Sequence, residues 1–233
     1  MRLWLAISAA ACVAALAQPS LAQDDGPPVP IEKAPYHLPA FTNEYITLLN
    51  VTVPPGKNTG YHIHSNDSVS VNVGAARMAN QNFGEKEQGP ARISRPGEAS
   101  YTNYIKLGQR THKASNMGST PFHNISFLLR KPLPGDFKPG ARAETYTQIM
   151  DNERVRGWRL VLEPGQSAPA ITQSAPGVRI VLDGGEIAEA VPGVRDRGMW
   201  LKHADVFWQD AGVTRAVRNI GTTRVELLEF ELK

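Results

Sequence analysis

The chain has 233 residues and a formal net charge of +3, from 25 Lys and Arg against 22 Asp and Glu. The basic residues are scattered rather than clustered, so neither the charge nor its distribution indicates a nucleic-acid partner. The length suits one large domain or two small ones.

The first residues have the pattern of a secretory signal peptide. Arg2 supplies a positive charge, residues 3–17 are apolar, and a small-x-small site ends at Ala22. We therefore predict a signal peptide over residues 1–22 and a periplasmic or secreted mature protein. The apolar core is too short to span a bilayer, so we expect no membrane association after cleavage.

The single cysteine, Cys12, lies inside the predicted signal peptide. A lipoprotein acylated at Cys12 is the alternative, although Ala9 stands where that motif has a branched aliphatic residue. After cleavage the mature chain has no cysteine, which excludes disulfides and thiolate ligands. We therefore expect any metal in the mature protein to be held by nitrogen and oxygen atoms.

The mature chain has the sequence pattern of a β-protein, with short apolar runs separated by glycine and proline. Proline recurs in residues 23–40, which predicts an extended or disordered N-terminal arm. Further along, apolar residues do not recur at the spacing of a helix. Short runs of β-branched or aromatic residues lie between Gly and Pro instead, for example at residues 45–53, 69–73 and 122–129. Many short strands of this kind predict an all-β sandwich or barrel.

The most informative stretch contains His62 and His64, which stand two residues apart. Side chains alternate along a strand, so both would project from one face, about 6–7 Å apart. A third histidine, His112, follows later in the chain. Neutral imidazoles that converge suit a first-row transition metal, and we predict a metal site formed by these three residues. The alternative is that they are ordinary strand histidines.

The chain also contains an internal repeat. Residues 53–56 (VPPG) match residues 162–165 (LEPG), 109 positions later. Residues 112–118 (HKASNMG) match residues 215–221 (RAVRNIG), 103 positions later. Two anchors in the same order predict two similar β units joined by a proline-rich hinge, with chance similarity of Pro-Gly turns as the alternative.

These positions resemble the two sequence motifs of the cupin superfamily. The residues that fit are Gly56, His62, His64, Gly74, Gly97, Glu98, His112 and Asn116. The glutamate ligand of the first motif is missing, because Ser68 and Val69 occupy its place. The resemblance implies a small jelly-roll barrel whose metal is held by three histidines without the usual carboxylate.

In the second repeat the resemblance extends to the strand and turn pattern but not to the ligands. Ile171 and Gln173 stand where the paired histidines would be, and Arg215 stands where the third would be. The resemblance thus implies a bicupin, two tandem cupin-type (jelly-roll) β-barrels, of which the second is degenerate. The predicted segments are a signal peptide (1–22), an arm (23–40), a first barrel (41–132), a linker (133–152) and a second barrel (153–233).

Several residues are candidates for the missing fourth ligand, namely Asp67, Ser68, Glu98 and His123. Asp67 could equally be a turn residue, and Glu98 matches a position that stabilises a turn in the family. His123 shares a strand face with Ile125 and Phe127, which could be the barrel interior. We expect Asn116 to cap a turn, and three tyrosines could line the pocket: Tyr61, Tyr101 and Tyr104. His37 and His203 have no partner at an informative spacing.

The sequence leaves different classes of function open. The first is a metal-dependent enzyme, an oxygenase, isomerase or lyase, that uses a divalent transition metal (Fe, Mn, Ni or Zn) on a small organic molecule. The second is a non-catalytic module that binds a small, sugar-like ligand or serves a structural role. Because cupins often pair through sheet edges, a homodimer is a further expectation.

Overall fold

The computed structural model describes residues 26–135, 137–138, 140 and 142–233. The predicted signal peptide (1–22), including Cys12, lies outside the described residues. Within them the chain is almost entirely β-structure, as predicted, with one 3-10 helix and one short α-helix. None of the helices in these ranges has the length and apolarity needed to cross a bilayer.

The first unit, barrel 1, consists of two five-stranded sheets. One sheet has the order β1, β4, β9, β6, β7, with bounds Val29–Pro30, His62–His64, Arg110–Asn116, Ala76–Asn82 and Arg92–Ser94. The other has the order β2, β3, β10, β5, β8, with bounds His37–Thr42, Ile46–Val53, Phe122–Leu129, Ser68–Asn72 and Ala99–Thr102. The 3-10 helix, Ile31–Lys33, joins β1 to β2, and helix α1, Tyr104–Leu107, joins β8 to β9.

The second unit, barrel 2, has the same plan. One sheet has the order β11, β12, β19, β14, β17, with bounds Tyr146–Asp151, Val155–Leu162, Val225–Leu232, Gly177–Asp183 and Val206–Gln209. The other has the order β13, β18, β15, β16, with bounds Ser167–Thr172, Thr214–Asn219, Gly185–Ala190 and Arg197–Leu201.

The strand registers reproduce the repeat that the sequence predicted. His37 pairs with Val51 in β2 and β3, and Tyr146 pairs with Leu160, each 109 positions later, in β11 and β12. Both hairpins have a register shift at corresponding positions. The strands that the two copies share therefore begin at residues 37 and 146, inside the segments that the sequence assigned to the arm and the linker, and barrel 1 has the additional strand β1 before them.

A turn closed by asparagine ends the corresponding strands β9 and β18. Asn116 donates from Nδ2 to the carbonyl oxygens of Val53 and Thr120, at 2.9 and 2.8 Å, and accepts at Oδ1 from Gly118 N. Asn219 makes the same three bonds to the corresponding residues of barrel 2. The expectation that Asn116 caps a turn is confirmed. The matching bonds also favour a true repeat over a chance similarity of turns.

The two barrels pack against each other through the sheets that contain β10 and β19. Ile125 and Phe127 on β10 belong to one continuous apolar cluster with Leu228 and Phe230 on β19, and all four side chains are buried. Burial of each such side chain contributes roughly 1.5–3 kcal/mol. Strand β3 is consequently buried on both faces, since one face lines barrel 1 and the other faces barrel 2.

Candidate metal centre

Strands β4 and β9 place the three predicted histidines on one face. His62 is the antiparallel partner of His112, and His64 is the partner of Arg110. Partners directly opposite in an antiparallel pair project from the same side of the sheet, and residues two apart on a strand do as well. The three imidazoles and the Arg110 side chain therefore share the inner face of barrel 1.

The three imidazoles converge closely enough to share one ion. Their ring centroids lie 4.6–5.0 Å apart, and one ligand nitrogen from each falls within 4.8 Å of the others. His64 Nε2 and His112 Nε2 are only 2.9 Å apart. The tertiary structure thus brings together residues from two strands that are 48 positions apart in the sequence.

Burial keeps these imidazoles neutral. Burial is the largest cause, and together with the neighbouring histidines and Arg110 it lowers the pKa of His62 to about 4, of His64 to about 3 and of His112 to about 2. A neutral imidazole has a free nitrogen lone pair, which is the form that binds a metal. His62 Nδ1 lies 3.2 Å from the carbonyl oxygen of Gly60, so donation from Nδ1 leaves the Nε2 lone pair free.

The donor set therefore fits a divalent transition metal. Three neutral nitrogen donors suit Fe, Mn, Ni or Zn, and no sulfur ligand is involved. The Nδ1 atoms of His64 and His112 are buried, and neither has a hydrogen-bond partner among the described residues. The cluster contains no carboxylate among the described residues, so three histidines are the ligand set that the geometry offers.

Two aromatic side chains pack against this histidine cluster. The ring of Tyr104, on helix α1, stacks on that of His64, with centroids 4.8 Å apart and an interplanar angle of 27°. The ring of His37, on β2, lies 4.8 Å from that of His62. Tyr104 was a predicted pocket residue, whereas sequence reasoning missed His37. The repeat could have predicted this position, because Tyr146, the counterpart of His37 in barrel 2, is buried in the interior of that barrel.

The candidates for a fourth ligand lie elsewhere. Asp67 accepts from the Tyr101 hydroxyl at 3.2 Å and forms an ion pair with Arg154 of barrel 2 at 3.3 Å. Glu98 accepts from the backbone N–H of Arg95 at 2.9 Å, so it stabilises its own turn. Ser68 is buried at the start of β5, opposite Thr102, on the sheet that does not contain the histidines.

The hypothesis that His123 faces the metal pocket is wrong. Its ring contacts Asn50 Oδ1 at 2.9 Å and approaches the ring of His203 in barrel 2. The reason is that Ile125 and Phe127, which share its strand face, cover the interface between the barrels rather than the interior of barrel 1.

Two of the three expected pocket tyrosines also point elsewhere. Tyr101 lies on the face of β8 that is turned toward barrel 2, and burial together with the Asp67 carboxylate raises its pKa. Tyr61 packs edge-on against Phe83 and under the ammonium group of Lys113.

Barrel 2 has the same strand pairing, but other residues occupy the positions of the three histidines, as the sequence predicted. Ile171 pairs with Arg215 in the register in which His62 pairs with His112. Arg215 donates to Gln173 Oε1 at 3.2 Å and lies 3.5 Å from Glu229.

A buried ion-pair network thus occupies the part of barrel 2 that corresponds to the histidine cluster of barrel 1. Burial alone would raise the pKa of Glu229, but Arg179, Arg215 and Arg142 outweigh it and lower the pKa to about 2. The guanidinium groups would repel a cation at this place.

Barrel 1 also contains an open cleft that adjoins the strands of the histidine cluster. The cleft has a volume of about 770 Å³, and its lining includes Arg110 and Asn82, the strand partners of His64 and His112. The described lining includes none of the three histidines, and the cleft adjoins the cluster through these two strand partners.

Comparison with solved structures shows the fold. The chain is similar to AerE from Microcystis aeruginosa, with a TM-score of 0.58 and 10% identity over 86% of this chain and 98% of that chain. It is also similar to the salicylate 1,2-dioxygenase of Pseudaminobacter salicylatoxidans, with a TM-score of 0.57 and 14% identity over 82% of this chain and 72% of that chain.

A variant of the oxalate decarboxylase of Bacillus subtilis matches with a TM-score of 0.55 and 12% identity, over 81% of this chain and 69% of that chain. No protein-family model matches the chain, and no curated protein does. The structural matches show that this chain has the cupin fold in two tandem barrels, and the second barrel has Ile171 and Arg215 in place of His62 and His112.

Proposed function

We propose that this protein is a metal-dependent enzyme that acts on a small organic molecule at His62, His64 and His112. The convergence of three neutral imidazoles, of which those of His62 and His112 are buried and that of His64 is half-buried, carries the proposal, because one nitrogen from each lies within 4.8 Å of the others. A bound divalent metal would supply a Lewis acid that polarises a substrate oxygen.

The surrounding residues support chemistry at this place rather than simple packing. Tyr104 orients the ring of His64, and the Gly60 carbonyl fixes the tautomer of His62. Arg110 extends from the inner face of barrel 1 toward Asn82 and provides a positive charge at the adjoining cleft. With three protein ligands, a metal keeps open positions, and oxygenase, isomerase and lyase reactions are the classes we propose to test.

The metal content of the purified protein tests the first step. We expect near-stoichiometric Fe, Mn, Ni or Zn in the wild type and its loss in the double variant His62→Ala/His64→Ala. His123→Ala is the matched control, since it removes a histidine of barrel 1 that lies outside the cluster. The proposal fails if the folded wild type takes up none of the four metals after reconstitution.

A second function, ligand binding without catalysis, is favoured by the polar cleft alone. Turnover of candidate substrates by the metal-loaded protein separates the two functions, and oxygen uptake separates oxygenase from isomerase or lyase chemistry. We further propose an exported protein that begins after Ala22. The test is mass determination of the chain recovered from the periplasm or medium, and light scattering of the same sample tests the expected homodimer.

A further inference from the structure

The polar cleft of barrel 1 differs from the corresponding space in barrel 2. We define the polar cleft by six residues on the inner faces of the two sheets: Asn72, Asn80, Asn82, Arg92, Ser100 and Arg110. Asn80 and Ser100 point inward by register and are nevertheless solvent-exposed, so the barrel is open between its edge strands β7 and β8.

Barrel 2 has an apolar interior at the corresponding strand pair. Asn72 pairs with Asn124 in barrel 1, and the corresponding pair in barrel 2 is Val181 with Leu227. Both apolar side chains are fully buried in the core of barrel 2. The fold therefore accepts apolar side chains at this strand pair, and in barrel 2 their burial contributes to stability.

The polarity of the cleft consequently needs another reason. Asn124 Nδ2 donates to Ser70 at 2.8 Å and to Asn72 at 3.0 Å, so these polar groups partly satisfy one another. Replacing a buried Val and Leu pair by two Asn gives up apolar burial and requires hydrogen bonds for each amide. A polar ligand in the cleft would use the amide and hydroxyl groups that remain.

The charge of the cleft indicates the sign of that ligand. Neither Arg92 nor Arg110 has a carboxylate within 4 Å among the described residues, and the counterparts of both in barrel 2, Met199 and Val213, are apolar.

The two glutamates that line the cleft accept hydrogen bonds from its own amides, Glu85 from Asn82 Nδ2 at 2.9 Å and Glu98 from Asn72 Nδ2 at 3.4 Å. Among the described residues, the side chains of Asn80 and Ser100 have no hydrogen-bond partner and are therefore available to a ligand.

We propose that the polar cleft binds a polyhydroxylated carboxylate of the sugar-acid class, with its carboxylate on Arg110 and its hydroxyls on the side chains of Asn80 and Ser100. This inference rests on the proposed function in that it names the substrate class of the histidine centre. Guanidinium groups bind carboxylates with charge-assisted hydrogen bonds, and amides donate to and accept from hydroxyls. Phe122 is the single aromatic residue among the described lining, so the cleft offers no flat apolar slot for an aromatic acid.

Calorimetric titration of the full protein with three probes tests the inference. The probes are D-glucuronate, D-glucose and benzoate, each titrated into metal-loaded and metal-free protein. We expect glucuronate to bind with a dissociation constant below about 1 mM in at least one form. Glucose should bind at least about tenfold more weakly, because it lacks the charge, and benzoate should bind more weakly still.

Variants assign the binding to the cleft. Arg110→Gln should weaken glucuronate binding by about tenfold or more, whereas Arg195→Gln, on an exposed loop of barrel 2, should not change it. Asn72→Val/Asn124→Leu installs the pair that barrel 2 already accommodates, so it should fold and lose glucuronate binding. Thermal unfolding of each variant confirms that the protein is folded.

The inference is overturned if folded protein binds glucuronate in neither form, if benzoate binds more tightly, or if Arg110→Gln binds as the wild type does. Metal content is measured on the same samples. Glucuronate binding by protein that takes up no metal would support the inference and contradict the proposed function, whereas metal uptake without glucuronate binding would do the reverse.

Discussion

Phe127 and Phe230 occupy the same position in the two copies of the repeat, and their rings meet edge to face with centroids 5.3 Å apart. A residue that contacts its own counterpart lies near an approximate twofold axis, as in an isologous dimer. The two barrels are therefore arranged like the halves of a dimer joined in one chain. This arrangement explains why strands of both barrels are buried on both faces.

Truncating this pair should weaken both barrels together. We expect Phe127→Ala and Phe230→Ala each to lower the free energy of unfolding by about 3–5 kcal/mol, because a fully buried ring leaves a cavity. Urea denaturation of both single variants and the double variant measures their coupling, which should be about 0.5–1.5 kcal/mol for an edge-to-face pair. Strictly additive losses would contradict the contact.

Asp67 should stabilise the interface between the barrels rather than bind metal. Asp67→Ala leaves Arg154 buried without its carboxylate, which costs about 3–5 kcal/mol. Metal content of the folded variant should stay at the wild-type level. Glu98→Ala, at an exposed residue that was also a ligand candidate, should cost less than Asp67→Ala. Loss of metal from Asp67→Ala without loss of stability would show that Asp67 is a ligand after all.

Tyr104 should hold His64 in place through its ring and not through its hydroxyl. Tyr104→Ala removes the stacked ring, and we expect about tenfold weaker metal binding, within the range found for outer groups that orient ligands. Tyr104→Phe should retain wild-type affinity, and so should Tyr61→Ala, which removes a tyrosine outside the cluster. Competition with a chromophoric chelator measures all three. Equal affinity of Tyr104→Ala and wild type would refute this role.

The ion-pair network of barrel 2 should make the protein sensitive to acid. The pKa of Glu229 is about 2 in the folded protein against an ordinary value of 4.5, so below about pH 5 the unfolded state binds the proton first. The stabilisation is complete above pH 4.5 and is lost as the pH falls toward 2, by about 3 kcal/mol in all.

Unfolding by urea between pH 5 and pH 3 tests this dependence. Glu229→Gln should be less stable at pH 7, because buried guanidinium groups lose a partner, yet its stability should fall less steeply with pH. Glu186→Gln, at an exposed glutamate, should retain the wild-type slope. Identical slopes for Glu229→Gln and wild type would contradict the assignment.

The repeat made much of the fold predictable from sequence. Its two offsets, 109 and 103 positions, placed Ile171 and Arg215 at the positions of His62 and His112, and the strand registers agree. The sequence did not predict which face of each strand lines its own barrel and which packs against the other barrel. His123 alternates correctly with its neighbours, but alternation alone does not say which face of β10 lies inside barrel 1.

The sequence by itself determined the β architecture, the two copies and the three histidines, because side-chain alternation and turn residues act over a few neighbouring positions. The tertiary structure decided which faces meet. It placed Asp67 and His123 at the interface between the barrels, brought His37 beside His62, and opened a polar cleft in barrel 1. The positions of Asp67 and His123 depend on the packing of one barrel against the other, whereas the contact of His37 and the cleft depend on how the two sheets of barrel 1 meet. Residues distant in the chain supply both kinds of packing.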